Sequence, residues 1–211
     1  MIEAFTAALA GTVLAQASPG PNLAAVASVA LAQGRAAALM VVAGVASGVL
    51  VWAALAAAGL FALVEAYPLS LTALKLVGGG YLLWVALKAL RAAWRGGAGA
   101  IVPAERRRTL RAAWRHGVMV VLTNPKAALM WGAVAAFLFG AGLDGWQVLA
   151  FGPVGAVSAA LIYGAYALAF SSGLARRAYA RAARLVEAAF GAVFGALGAG
   201  LVASGLREIG R

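Results

Sequence analysis

Apolar residues fill six long stretches of this chain, and charged residues are confined almost entirely to the segments between them. Four stretches contain no Asp, Glu, Lys or Arg, and they lie at residues 4–34, 36–64, 145–175 and 188–206. Two more, at about 68–90 and 117–139, contain isolated lysines. A helix needs roughly 20 apolar residues to cross a bilayer core. The pattern therefore predicts an all-α polytopic membrane protein with six transmembrane helices.

Two of the six segments contain prolines at positions where a continuous helix would not tolerate them. Pro19 and Pro21 lie in the middle of the first segment, and Pro125 lies in the fourth. A proline inside a helix costs roughly 3 kcal/mol because it removes a hydrogen bond and clashes with the preceding turn. Each interrupted segment is the first of three, and an odd number of crossings inverts the second half. We therefore predict two inverted three-helix repeats in which helices 1 and 4 are broken.

Composition and charge agree with one membrane domain. Hydrophobic residues make up 64% of the chain and charged residues 11%, whereas a soluble domain has about 45–50% and about 25%. We expect a single transmembrane domain over 1–211, with repeat one at about 1–90, a cytoplasmic basic loop at about 91–116 and repeat two at about 117–211. The chain has no cysteine, so thiol and disulfide chemistry are excluded, and no cofactor or metal is expected.

The arginines predict which loops face the cytoplasm. Seven fall in the loop after segment 3, four more follow segment 5 at 176–184, and Arg35 follows segment 1. The intervening loops hold Glu65 and Asp144 but no lysine or arginine. This positive-inside bias places the three arginine-bearing loops in the cytoplasm and both termini outside. The formal net charge of +11 then indicates contact with anionic lipid head groups and not with nucleic acid.

The two breaks predict a binding site for a carboxylate. With a rise of about 1.5 Å per residue, both interruptions lie at a similar depth in a core of about 30 Å. Half-helices that begin near Asn22 and Lys126 direct N-terminal amides, which carry partial positive charge, into the space between them. The predicted substrate-binding residues are those of the two breaks: Ser18, Pro19, Gly20, Pro21, Asn22, Thr123, Asn124, Pro125 and Lys126.

Two simpler interpretations of the breaks stay open at this point. The prolines can merely kink their helices for packing, which prolines in membrane helices often do. The ammonium of Lys126 can extend to the cytoplasmic surface instead of facing a ligand, because a lysine at depth costs roughly 2.5–3.5 kcal/mol.

The motifs at the breaks resemble those of a known transporter family. The resemblance to the LysE/RhtB amino-acid exporters, or LysE-type translocators, covers nearly the whole chain and is carried by residues 18–22 (SPGPN), 34–35 (GR), 44–60 (GVASGVLVWAALAAAGL), 76–82 (LVGGGYL) and 123–127 (TNPKA). It is strongest to the threonine-exporter branch. The resemblance implies a multi-pass exporter of the bacterial plasma (inner) membrane, driven by proton antiport, with an amino acid, protons and lipid as partners.

The substrate class and the proton carrier are also expectations from this resemblance. Many relatives carry Gly-Asp where this chain has Gly48-Val49, which disfavours a basic substrate and favours small neutral ones resembling threonine or homoserine. Since the membrane segments contain no carboxylate, proton coupling must use another group. Lys126 ranks first because burial favours the neutral form of a lysine. The full set of candidates is Lys126, Tyr81, Tyr163, Tyr166 and His116.

Three other function classes compete with export. A divalent metal-ion exporter of a related branch needs several carboxylate ligands, and an intramembrane hydrolase needs a nucleophile beside a base. The predicted segments offer neither set, so we predict a transporter and not an enzyme. A non-transporting membrane assembly protein would have no use for the paired breaks.

Small residues in segment 6 predict a contact between two copies of the chain. Gly191 and Gly195 form a Gly-xxx-Gly pair, which lets two helix backbones approach closely. The expected assembly is a homodimer or a larger oligomer. The alternative is that these glycines pack on a helix of the same chain.

Overall fold

The computed structural model describes residues 1–66, 69–95, 108–172 and 175–209. Every regular element within those ranges is an α-helix. The eight helices are α1 (Ile2–Ala17), α2 (Pro21–Gln33), α3 (Arg35–Ala66), α4 (Leu69–Arg95), α5 (Leu110–Leu122), α6 (Pro125–Gly140), α7 (Gly145–Ser171) and α8 (Ala175–Ile209). The predicted interruptions are present, because segment 1 is divided into α1 and α2 and segment 4 into α5 and α6.

Three of the described helices are long and apolar enough to cross a membrane by themselves. They lie within α3, α4 and α7, over Arg35–Gly59, Lys75–Arg95 and Gly145–Ser171. The α5–α6 pair, bent by 60° at its break, counts as a fourth span if its two halves are taken together. The shorter helices α1 and α2 are apolar but do not reach that length separately. The structure is thus that of a multi-pass helical membrane protein.

The helices extend further into the basic segments than the sequence predicted. Within the expected loop at 91–116, α4 continues to Arg95 and α5 begins at Leu110. The hydroxyl of Thr109 caps α5 by accepting a hydrogen bond from Ala112 N at 3.2 Å. The arginines at 176–184 lie in the first turns of α8 and not in a loop, because arginine and alanine are strong helix formers regardless of charge. Residues 96–107 lie outside the described part.

Local signals position the turns that join the remaining helices. Gly34 ends α2 with φ of 80°, a left-handed conformation that glycine adopts at no steric cost. Asp144 begins α7 with a capping box: its carboxylate accepts from Gln147 N at 2.8 Å, and the Gln147 side chain accepts from Asp144 N at 3.0 Å. These short connections bring α2 against α3 and α6 against α7.

Helix α3 packs on both α5 and α7, and glycines allow its backbone to touch that of α5. A Cβ added to Gly44 would lie 2.0 Å from the Trp114 carbonyl oxygen, and one added to Gly117 would lie 2.1 Å from that of Val41. The two glycines therefore permit reciprocal contact, as small residues do between membrane helices.

The pair formed by α4 and α8 is built in the same way. A Cβ on Gly79 would lie 2.8 Å from the Gly198 carbonyl oxygen, and one on Gly198 would lie 2.7 Å from that of Gly79. Further along α8, a Cβ on Gly191 would lie 2.6 Å from Leu90 Cγ. The Gly-xxx-Gly pair thus packs on α4 of the same chain, so the predicted dimer contact at this face is wrong. The homodimer itself stays a prediction without an assigned face.

An ion pair that sequence reasoning missed ties α4 to α8. The ammonium of Lys75 contacts the carboxylate of Glu208, and the exposed fractions of the two side chains are 7% and 38%. Thr72 Oγ1 donates to the second oxygen of Glu208 at 2.8 Å. A Cβ on Gly140 would lie 3.3 Å from Lys75 Cε, so this pair also adjoins the end of α6.

Candidate functional site

The first break is made by a serine, two prolines and a glycine. Ser18 leaves the helical conformation with φ of −72° and ψ of 148°, while its N–H still donates to Leu14 O at 3.0 Å. Gly20 precedes α2 in an extended conformation, and Pro21 is the first residue of that helix. Proline suits this position because its missing N–H would have no partner there and its φ is already helical.

The second break repeats this arrangement with an asparagine in place of the glycine. Asn124 precedes α6, and its side-chain oxygen accepts from Lys126 N at 3.0 Å. Pro125 is the first residue of α6, as Pro21 is of α2. The two prolines therefore occupy equivalent positions, each at the start of a half-helix.

The two breaks meet through the side chains of their asparagines. Asn124 Nδ2 donates to Asn22 Oδ1 at 3.0 Å, and Asn22 Nδ2 lies 3.4 Å from the hydroxyl of Tyr163, to which it donates. All three side chains are buried. This chain of hydrogen bonds connects α6, α2 and α7, so the start of each half-helix is held against the other.

Lys126 reaches from the second break into the first. Its ammonium donates to the hydroxyl of Ser18, to Pro19 O at 3.2 Å and to Ser18 O at 3.5 Å. These oxygens lie at the C-terminal end of α1, where exposed carbonyls carry partial negative charge. A Cβ on Gly20 would lie 3.6 Å from Nζ, so the ammonium also lies beside the start of α2. In this conformation the ammonium of Lys126 therefore contacts the first break, and it does not extend to the cytoplasmic surface as the simpler interpretation supposed.

A second polar group lies two residues before Ser18, in the last turn of α1. Gln16 Nε2 donates to Gly155 O at 3.0 Å, and Gln16 Oε1 accepts from the hydroxyl of Ser158 at 2.9 Å. The hydroxyl of Tyr166 donates to Ala17 O at 2.8 Å. Polar side chains on both helices therefore join the last turn of α1 to α7.

These groups line a small cavity between the two breaks and helices α3 and α7. Its polar lining comes from Gln16, Ser18, Asn22, Asn124, Lys126 and Tyr163. Water-sized spheres can be centred in about 20 Å³ of it, and one water needs about 10–15 Å³ on this measure. An amino acid is several times larger than a water, so this is a closed conformation. The helices around the cavity must separate before such a ligand enters.

The structure brings most of the predicted binding residues to this cavity, but not Thr123. Its side chain is exposed, and its hydroxyl donates to Met119 O at 2.7 Å at the end of its own helix. Pro19 contributes only its carbonyl, which accepts a hydrogen bond from Lys126, while Pro21 and Pro125 are exposed and begin their helices. The residues that line the cavity include Ser18, Gly20, Asn22, Asn124 and Lys126.

The proton-coupling candidates fall into two groups. Tyr163 lines the cavity and Tyr166 contacts the end of α1. Tyr81 lies on α4, where its ring packs 5.6 Å from that of Trp84, and His116 lies on α5. Neither Tyr81 nor His116 is among the described residues that line the cavity.

Sequence reasoning missed Gln16, Ser158 and Trp131, which also contribute to this region. A signal existed for Gln16, because a polar side chain within an apolar membrane segment is costly and usually has a function. Trp131 offered no such signal, since an aromatic residue in an apolar helix is ordinary.

The comparison with known families agrees with this geometry. The family model of the LysE type translocator matches residues 13–205, a range that contains both breaks and the cavity. The chain belongs to the LysE type translocator family. This membership makes it a transport protein and confirms the family predicted from the sequence motifs.

Characterised relatives of this LysE type translocator share its length. The threonine efflux protein of Escherichia coli (strain K12) is 29% identical over 196 residues, which cover 91% of this chain and 94% of the relative. The threonine efflux protein of Salmonella typhimurium (strain LT2) is 29% identical over 208 residues, which cover 97% and 99%. No solved structure gives a significant match.

Proposed function

We propose that this LysE type translocator exports small neutral amino acids, resembling threonine or homoserine, across the bacterial inner membrane. The observation that carries the proposal is the meeting of two broken helices at one cavity that both of them line with polar side chains. The names of the relatives, which are threonine efflux proteins, support the same substrate class. Paired discontinuous helices are a common way for transporters to bind a small ligand at the membrane midplane.

The start of α2 is the better of the two half-helix ends for binding the substrate carboxylate. Gly20 has no side chain with which to cap α2, and the first backbone bond of the helix is Ala24 N to Gly20 O at 2.9 Å. The amides of Asn22 and Leu23 therefore belong to the first turn, where N–H groups point out of the N-terminal end of the helix and have no partner within it. At α6, by contrast, the side chain of Asn124 already accepts from Lys126 N.

The end of α1 supplies the opposite charge that an amino acid requires. Ser18 O and Pro19 O, which accept from Lys126 in this conformation, are suitable acceptors for the α-ammonium of a substrate. A zwitterion thus finds a positive helix end for its carboxylate and a negative helix end for its ammonium at the same break. In this proposal Lys126 holds the α1 carbonyls in the closed conformation and adds charge beside the carboxylate when substrate binds.

Six crossings in two inverted repeats would place this cavity within the bilayer. Packing of α3 on α7 and of α4 on α8, which are the corresponding segments of the two halves, supports that arrangement. Three arginine-bearing segments would then face the cytoplasm, with both termini outside. Coupling to an inward proton would use Lys126 or Tyr163, since both line the cavity.

Transport by inside-out membrane vesicles tests the proposal. Vesicles with the protein should accumulate labelled threonine or homoserine faster than vesicles without it, and lysine should be a poor substrate. Asn22→Leu removes the hydrogen bonds to Asn124 and Tyr163 and should abolish uptake. Thr123→Val is the matched control, because that hydroxyl bonds only within its own helix among the contacts described. Uptake that survives Asn22→Leu, or an absence of amino-acid uptake by the wild type, would contradict the proposal.

A further inference from the structure

Trp131 combines deep burial with an unused hydrogen-bond donor. Its side chain is 2% exposed, and its indole Nε1 has no hydrogen-bond partner among the described residues. A buried indole N–H usually has a partner, because leaving a donor unpaired away from water costs free energy. Trp131 also lines the same cavity as Asn22 and Lys126. An unpaired donor at a ligand cavity points to an acceptor that the ligand itself provides.

The position of the ring brings this N–H close to the polar group on α1 and α7. A Cβ on Gly155 would lie 2.8 Å from both Cζ2 and Cη2 of Trp131, so this edge of the ring rests against the glycine backbone. Nε1 is separated from Cζ2 by a single ring atom. The carbonyl of Gly155 accepts from Gln16 at 3.0 Å and from Ser158 at 2.9 Å. The indole N–H thus shares the cavity with Gln16, whose side chain can also bond a hydroxyl.

Neighbouring aromatic packing holds the ring in place. The Phe151 ring lies 6.1 Å from that of Trp131 in an edge-to-face arrangement. A fixed donor loses little entropy when a ligand binds, and so it discriminates well between ligands that have an acceptor and ligands that lack one.

Trp131 and Lys126 lie on the same helix, α6, and both line the cavity. Trp131 follows Lys126 by five residues, which corresponds to about 7.5 Å along the helix axis. A substrate bound beside Lys126 would therefore occupy the cavity that Trp131 also lines. Val49 and Met130 also line the cavity, and these apolar side chains favour a short substrate over a long or charged one.

We infer that Trp131 selects the substrate side chain: its indole N–H donates to a side-chain oxygen of a hydroxyl-bearing amino acid. An indole is a donor only, so it needs an acceptor such as the hydroxyl oxygen, while that hydroxyl can donate in turn to Gln16 Oε1. This inference rests on the proposed function, since it assigns the part of the substrate beyond the α-carbon. An apolar isostere with a methyl group in place of the hydroxyl would leave the indole N–H unpaired.

Threonine and valine provide the test, because they have the same shape and differ by a hydroxyl against a methyl group. Initial rates of uptake into inside-out vesicles are measured for both at equal concentrations. The wild type should prefer threonine. In Trp131→Phe, which keeps an aromatic ring without the N–H, the threonine-to-valine ratio should fall by roughly 2- to 12-fold, the worth of one neutral hydrogen bond.

Trp52→Phe is the matched control, because its indole N–H already donates to Val121 O at 2.9 Å. That variant should preserve the threonine-to-valine ratio even if overall transport falls. An equal loss of both substrates in Trp131→Phe would overturn the inference, since it would indicate packing or a contact with the shared carboxylate. Equal rates for threonine and valine in the wild type would overturn it without any variant. Wild-type vesicles that transport neither amino acid would overturn the exporter proposal as well, which is a distinguishable result.

Discussion

Replacing Lys126 with methionine is the most direct test of charge at the break. The substitution removes an ammonium that donates to the Ser18 hydroxyl and to the carbonyls of Ser18 and Pro19. The protein should still insert and fold, because the lost hydrogen bonds are offset by the removed cost of desolvating a partly buried cation. Stability measured by thermal unfolding in detergent should therefore change little.

Transport by Lys126→Met should nevertheless fall sharply. A hydrogen bond to a charged group contributes roughly 1.5–3 kcal/mol, so losing one such bond to the substrate carboxylate lowers the transport rate about 10- to 150-fold. Lys126→Arg should recover little, because a planar guanidinium does not replace a compact ammonium between the Ser18 and Pro19 oxygens. The rates are measured with labelled threonine in proteoliposomes of known protein content.

Proton coupling provides the second measurement on the same residue. If Lys126 carries the proton, a gradient that drives protons in the direction opposite to threonine should accelerate threonine transport by the wild type but not by Lys126→Gln. Insertion and melting temperature serve as controls for folding. A methionine variant that exports at the wild-type rate would refute the role of this charge, and a gradient effect that survives in Lys126→Gln would assign coupling to another group.

Two further predictions address the breaks and the α4–α8 pair. Pro21→Ala and Pro125→Ala should reduce export while leaving insertion intact, because alanine allows the half-helices to join. Pro153→Ala within the continuous helix α7 is the control. Normal export by the variant that carries both Pro21→Ala and Pro125→Ala would contradict a role for the breaks. Glu208→Gln should lower stability by roughly 1–3 kcal/mol, less than for a fully buried pair, because Glu208 is 38% exposed. Adding Lys75→Met should restore most of the melting temperature, and a melting temperature unchanged by Glu208→Gln would show that the pair contributes nothing.

The sequence by itself determined the features that depend on local chemistry. Membrane-length apolar runs predicted the helices, and prolines predicted both interruptions, because a missing N–H disrupts a helix whatever surrounds it. The start of α2 at Pro21 and of α6 at Pro125 follows from the same property. Glycines in segment 6 indicated close packing of helices, although not which helix is the partner.

Only the tertiary structure decided which side chains face each other. A helix that is apolar on all sides has no amphipathic stripe, so its rotation about its own axis is not encoded in a readable pattern. Packing of all the helices together turns Thr123 away from the cavity and brings Asn22 to Asn124. The same packing directs Gly191 toward α4 and not toward a second copy. The partners of Lys126 and the unpaired indole of Trp131 likewise depend on contacts between residues far apart in the chain, which no local preference specifies.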